Sequence, residues 1–421
     1  MATTESVGAA PRVAGQKADR SKLFAVNRAF RLTAVATLLI VGLLGALPAS
    51  AAAPPAQRPA SIFDDPFFRE RVLAGLDRLY SMDFPGAEGQ FVEVERHFPE
   101  HPAGPLLRAL VPWWKLLVDP ENTSLDAAFL AHIERSLDLA KRRLKKNDDD
   151  VDGLFFEAGA SAFRARLATY RESWMRAGLD GRRALKNMRR LAKRDPGNDD
   201  LAFGIGLFDY LVEAVPQRYR WLKPIARLFP KGDKARGLAE LRRAADRSRF
   251  AKVEARYALF QILDQFEGDL PRASAELAQL RRAYPGNSLF HVAEGRMYAR
   301  WGRWAEAGVI LQEVAERQVD GAPGYSGAVA EEALYWLARV EMGQRRYDGA
   351  LEYLDRLEFL ASERTYDAYY QAVGRLRRGM AYDALGRRDE ALRCYREVLA
   401  MKSVGDARDR AKEFLDRPFA G

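Results

Sequence analysis

The chain of 421 residues has one cysteine, Cys394, and four histidines. A lone thiol forms no internal disulfide, so the fold must hold by packing. His97 and His101 stand four apart, but Pro99 lies between them at a helix end and no Glu sits where a zincin helix needs one. They do not offer a metal one helical face, and His132 and His291 stand alone on amphipathic stretches. No segment alternates apolar and polar residues as a half-buried strand does. Gly204-x-Gly206 lacks the third glycine and the preceding strand of a dinucleotide loop, and no Gly-x-Ser-x-Gly elbow occurs. Asp148 to Gly153 begins like a calcium loop, yet its twelfth position is Gly159 instead of a bidentate Glu, so a turn and helix cap are predicted there. Nothing supplies a nucleophile, a base or a phosphate cradle, which argues against an enzyme and against any bound metal or cofactor.

Charge of one sign is also scarcer than the net +9 suggests. Residues 1 to 51 carry Arg12, Lys17, Arg20, Lys22, Arg28 and Arg31 against Glu5 and Asp19, which leaves 9 − 4 = +5 for the rest. A surplus that small, dispersed over many helices, does not predict nucleic-acid binding. Long apolar runs are limited to Leu32 to Leu47, preceded by Arg28 and Arg31 and followed by the small-x-small sites Ala49-Ser50-Ala51 and Ala51-Ala52-Ala53. That run is short for a membrane span and ends at Pro48, so residues 1 to 51 are predicted to be a cleaved signal peptide. The destination is then the periplasm or the outside. A Pro/Ala-rich linker, 52 to 61, follows.

What is present in abundance is the amphipathic helix, punctuated by Pro, Gly, Asn and Asp turns. Near the C-terminus Gly379, Tyr382, Gly386 and Ala391 occupy the places a tight antiparallel helix pair needs: a small residue for close approach, a ring beside it, a turn glycine and a small residue on the return helix. This block resembles the tetratricopeptide repeat. Gly295, Tyr298, Gly302, Trp304, Ala307 and Leu311 repeat it, as do Ala338, Tyr347, Ala350 and Leu354 with less fidelity. The second-helix half recurs at Ala273, Ala184 and Ala87, each followed twelve residues later by proline. The step from Ala273 to Ala307 is 34 residues, whereas Ala307 to Ala350 and Ala350 to Ala391 are 43 and 41. Weaker pairs join Leu106 to Val118 with Ser124 to Lys146, and Leu201 to Val212 with Asp233 to Ala245. The resemblance implies an all-α, right-handed superhelical solenoid of about eight antiparallel helix pairs over residues 62 to 417, closed by a capping helix from Asp406 to Leu415.

Two regions are expected to carry function. Residues 213 to 232 form an insertion in which Arg218, Tyr219, Trp221, Lys223, Arg227 and Phe229 mix basic and aromatic character, either as a loop packed on its own helices or as a surface for an anionic membrane or acidic partner. The stretch from Gly204 to Leu238 is similar to part of the Iml2-type tetratricopeptide proteins, with Lys234 where those carry Arg. The repeat resemblance also implies that first-helix residues line a concave groove: Val292, Arg296, Ala299 and Arg300 in one repeat, Glu332, Tyr335, Arg339 and Met342 in another. The arginines point to an acidic or carboxylate-bearing protein or peptide. An exported, non-catalytic scaffold is the leading expectation, and a peripheral membrane protein working through the insertion is the alternative.

Overall fold

The computed structural model describes residues 61–194, 199–218, 230–364, 369–401 and 406–421. The expected signal peptide and nearly all of the linker lie outside these residues. Seventeen α-helices make up the described chain, with a 3₁₀ turn at Ile62–Asp64 before them. In order they are α1 Pro66–Tyr80, α2 Phe84–His97, α3 Ala103–Val118, α4 Asp126–Lys146, α5 Val151–Tyr170, α6 Trp174–Arg194, α7 Asp199–Arg218, α8 Lys234–Arg247 and α9 Lys252–Ile262. They continue with α10 Leu270–Ala283, α11 Ser288–Trp301, α12 Trp304–Val319, α13 Gly327–Gly343, α14 Tyr347–Ser362, α15 Tyr369–Ala384, α16 Arg388–Ala400 and α17 Ala407–Asp416. Eight antiparallel pairs and a final capping helix result, a helical-repeat solenoid as expected.

Local chemistry sets the helix starts. Asp65, Asp83, Asp150, Asp233, Asp269 and Asn287 each accept a hydrogen bond from a backbone N–H of the first turn, which satisfies a donor that has no partner within the helix. Asp150 is thus the cap expected in place of a calcium loop. Pairing then rests on a recurring fit. A Cβ at Gly75, Gly295 or Gly379 would strike Phe91, Leu311 or Tyr395 at 2.3 to 2.5 Å, and in every case the large residue stands 16 positions on. The same step joins Ala338 to Leu354, both buried. One helix can lie this close to the next only because its contact point has almost no side chain.

The α7–α8 pair is closer still. A Cβ on Gly206 would sit 2.8 Å from the Gly237 carbonyl oxygen, and one on Gly237 would sit 2.5 Å from the Tyr210 amide nitrogen. Backbone cannot step aside as a side chain can. Gly206→Ala is therefore expected to lose about 1–3 kcal/mol by overpacking, less the ~0.5–1 kcal/mol that alanine returns in helix propensity. Gly204→Ala meets only the end of the flexible Met188 side chain, so urea midpoints should separate the two variants although they lie two residues apart. The glycines of this Gly-x-Gly thus answer to helix packing. Helix α7 also runs on through Glu213 to Arg218, so the non-repeat stretch begins later than residue 213. Its far end is pinned back beside α7: Asp233 N–H donates to the Asp209 carbonyl and Lys234 N–H to the Glu213 carboxylate, both at 3.0 Å.

First helices of successive pairs touch on the inner side, α3 with α5, α7 with α9, α11 with α13, and α13 with α15. The superhelix curls far enough for its beginning to meet its later turns. Helix α3 packs on α11, with Trp114 against Phe290 at 6.2 Å between ring centres. Tyr80 donates its hydroxyl to Glu254 at 2.5 Å, and the Asn287 amide donates to the Tyr80 carbonyl at 2.8 Å. Further along, Arg364 donates to Asp119 at 2.8 Å, and the Tyr369 N–H to Glu121 at 2.7 Å. One core accordingly joins Ile62–Tyr170 to Leu259–Met297, a second runs from Val292 to Phe414, and the buried residues of α6 to α8 form smaller clusters beside them.

Candidate functional site

Because the array curls on itself, its inner side is partly filled by its own residues. Arg296 is only 7% exposed and pairs with Glu332, and Arg300 donates to Asp264 at 2.5 Å. Asp264 sits in Leu263–Glu267, a π-helical turn that prolongs α9 and ends at Gly268 with φ of 67°. Val292, Ala299 and Tyr335 are buried, and Met342 is half-buried. Of the residues expected to line the groove, Arg296 and Arg300 have thus been neutralised by acids of the same chain.

Arg339 has not. Its guanidinium lies over the Trp336 ring at 4.4 Å, and its Nη1 is buried without an acceptor. Two further arginines converge on the same place: Arg377 from α15, whose charge acts on the Tyr335 phenol, and Arg410 from α17, which lies over Phe414 at 5.3 Å. None of the three forms an ion pair with a carboxylate among the described residues. Burial pulls Arg339 down to about 10, with Arg377 adding repulsion. Burial would raise the Tyr335 phenol, yet Arg377 and Arg339 hold it below its ordinary value. A tyrosine that ionises more readily although buried reports a strong positive potential. The cluster is therefore poised for an anion.

Arg377 and Arg410 were missed from sequence alone. The signal that would have found them is one arginine on each successive first helix, at 300, 339 and 377, and then at 410 on the cap. The insertion gives a different result. Tyr219, Trp221, Lys223, Arg227 and Phe229 lie outside the described residues, and Arg218 is turned inward, donating to the Gln265 carbonyl and lying over Phe266 at 5.5 Å. Among the described residues no helix is long and apolar enough to cross a membrane.

No group of three or more His, Cys, Asp or Glu side chains suited to a metal ion occurs among the described residues. His101 instead shares Asp152 with Ser61, and His97 stacks on Phe67 at 4.2 Å. Cys394 is buried, and burial first of all pushes its thiol up to about 11, so little reactive thiolate forms.

A second feature lies within the first half of the array. An apolar cavity of about 220 Å³ is walled by α1, α3, α5, α6, α7 and α9, including Leu76, Leu110, Phe155 and Phe208. Arg166 and Glu254 stand on its lining and also on that of a narrower space walled by Trp113, Trp114 and Phe266. Beyond lies a polar chamber of about 100 Å³ bounded by Tyr257, Arg296, Glu332 and Tyr370.

Comparison with known proteins agrees with the helix-pair pattern. Residues 200–384 match the family model of Iml2/Tetratricopeptide repeat protein 39, and residues 374–401 match a tetratricopeptide repeat model. No curated protein matches the chain. Among solved structures, the human IFIT1 dimer with m7Gppp-AAAA is 13% identical, over 84% of this chain and 85% of that one, at a TM-score of 0.45. Yeast Tom70 is 12% identical over 84% and 88%, at 0.31, and the P58(IPK) TPR domain 12% over 83% and 98%, at 0.24. Likenesses of this size say nothing about function. The repeat architecture and the two family matches agree: the chain is a solenoid of tetratricopeptide-type helix pairs, similar over residues 200–384 to the Iml2/Tetratricopeptide repeat protein 39 family and over 374–401 to a tetratricopeptide repeat.

Proposed function

We propose that this protein is an exported, non-catalytic scaffold whose C-terminal repeats hold an acidic, carboxylate-bearing segment of a protein partner. The observation that carries this reading is the cluster of Arg339, Arg377 and Arg410 around Tyr335, none of them in a close ion pair with a carboxylate among the described residues, although Asp406 and Glu413 lie near enough to Arg410 to act on its charge. A guanidinium left unpaired in a half-buried place is a standing electrostatic cost, and a bound carboxylate removes it. Scaffolds built from helical repeats bind along such inner surfaces because each repeat contributes side chains at regular spacing.

The test is a titration with short Glu-rich peptides, each made with a free C-terminal carboxylate and as the amide. Wild-type protein should bind the acidic peptides with an affinity that falls as salt rises, and an Arg377→Glu, Arg410→Glu variant should lose roughly a hundredfold or more. Arg296 and Arg300 are left alone because reversing them would break the chain's own ion pairs. Equal binding by both proteins, or a preference for basic peptides, would reject the reading.

A further inference from the structure

The apolar cavity near the start of the array has a polar end that its own residues leave unsatisfied. Arg166, on α5, is half-buried and lies over Trp113 at 4.7 Å. Its Nε has no acceptor, and it forms no ion pair with a carboxylate among the described residues. Facing it from α9 is Glu254, whose Oε1 takes the Tyr80 hydroxyl and whose Oε2 has no partner. Asp200, the remaining acid on the lining, is otherwise engaged: its Oδ1 accepts from the Ser248 hydroxyl and from the Phe250 and Ala251 amides, at 2.8 and 3.1 Å for the amides. The rest of the wall is aliphatic and aromatic.

A long apolar space with one half-buried cation at its end fits a ligand of the same form. We propose that this cavity binds a single-chain amphiphile with a carboxylate head, a medium-chain fatty acid of about eight to ten carbons, its tail among Leu76, Leu110, Phe155 and Phe208 and its head on Arg166. The head accepts hydrogen bonds from the guanidinium, and protonated Glu254 donates to it through the oxygen that now lacks a partner. Size sets the length: a cavity of about 150 Å³ takes up benzene, so 220 Å³ holds roughly nine carbons, a chain of about eight to ten. The site is separate from the arginine cluster on α13, α15 and α17, and the two readings stand or fall independently.

The experiment uses the delipidated full chain with decanoate and, as a headless control, decanol. Wild type should bind one decanoate, with tryptophan fluorescence quenched when a brominated decanoate is the probe, since Trp113 and Trp114 line the adjoining space. Arg166→Met should weaken decanoate by roughly ten- to a hundredfold and leave the alcohol unchanged. Ala162→Phe, which fills the cavity from α5, should remove both, with circular dichroism confirming that it folds. No saturable binding or quenching by wild type overturns the proposal, and so does an Arg166→Met variant that loses decanoate and the alcohol alike. Should Ala162→Phe fail to fold, the quenching of wild type and the Arg166→Met comparison decide by themselves.

Discussion

Replacing Arg364 by alanine is expected to destabilise the protein by about 3–5 kcal/mol, far more than a surface arginine would. Its Nε donates to Glu331 at 2.5 Å and its Nη1 to Asp119 at 2.8 Å. The Glu331 side chain is 2% exposed, so without the guanidinium a carboxylate remains buried with its counter-ion gone. Burial already raises the Glu331 carboxyl above its ordinary value, and only Arg364 opposes this. The loss also falls at a strategic place, since Asp119 follows α3 whereas Arg364 follows α14, 245 residues on. A solenoid whose repeats contact only their neighbours unfolds piecemeal, and contacts of this kind make distant repeats unfold together. Urea denaturation of the variant should show a lower midpoint and a transition split into two steps. Adding Glu331→Gln should restore part of the loss by removing the stranded charge, whereas no recovery would mean that the pair acts through packing alone.

Glu254 should make stability fall as pH rises from about 4.5 to 7, and Glu254→Gln should remove that part of the dependence. Burial raises the carboxyl to about 7, opposed by the hydrogen bond from Tyr80. The folded protein therefore keeps a proton that the unfolded chain gives up near the ordinary value, so the contribution is complete below pH 4.5 and is lost as pH climbs through 7. A difference of that size is worth about 3 kcal/mol. Glu121 is raised to about 7 by burial as well and acts in the same direction, so the wild-type slope contains both and the variant isolates one. Glutamine keeps an acceptor for Tyr80 and carries no charge. The two proteins should thus be equally stable near pH 4.5, with the variant ahead by up to about 3 kcal/mol at pH 8 in urea midpoints. A constant gap across that range would show that Glu254 is ionised throughout. His291 works the opposite way: burial holds it down to about 4, so what it contributes is present at neutral pH and lost only below about 6.5.

Much of the fold was legible because it is written in short-range physics. Amphipathic periodicity marked the helices, Asp150 and Asp233 marked helix starts, and Gly379 with Ala391 marked how a pair closes. Each involves residues within a few turns of one another, where spacing along the chain settles geometry. The candidate sites were legible only in part. Arg339 was named from its repeat position, but the same reasoning named Arg296 and Arg300, which the fold pairs with Glu332 and Asp264. Those partners lie 36 residues away in both cases, one repeat distant, so whether an acid faces an arginine depends on how neighbouring repeats are rotated.

By itself, then, the sequence determined that this is an all-helical repeat array and where several of its helices start. Tertiary structure alone decided how far the array curls, which brings Tyr80 to Glu254 and Asp119 to Arg364. It alone decided that Arg166 stands at the end of an apolar cavity and that Arg339, Arg377 and Arg410 share one place around Tyr335. The reason is that small angles between successive repeats accumulate over many pairs. A contact between residues more than 170 positions apart reports the sum of those angles, which no local pattern encodes.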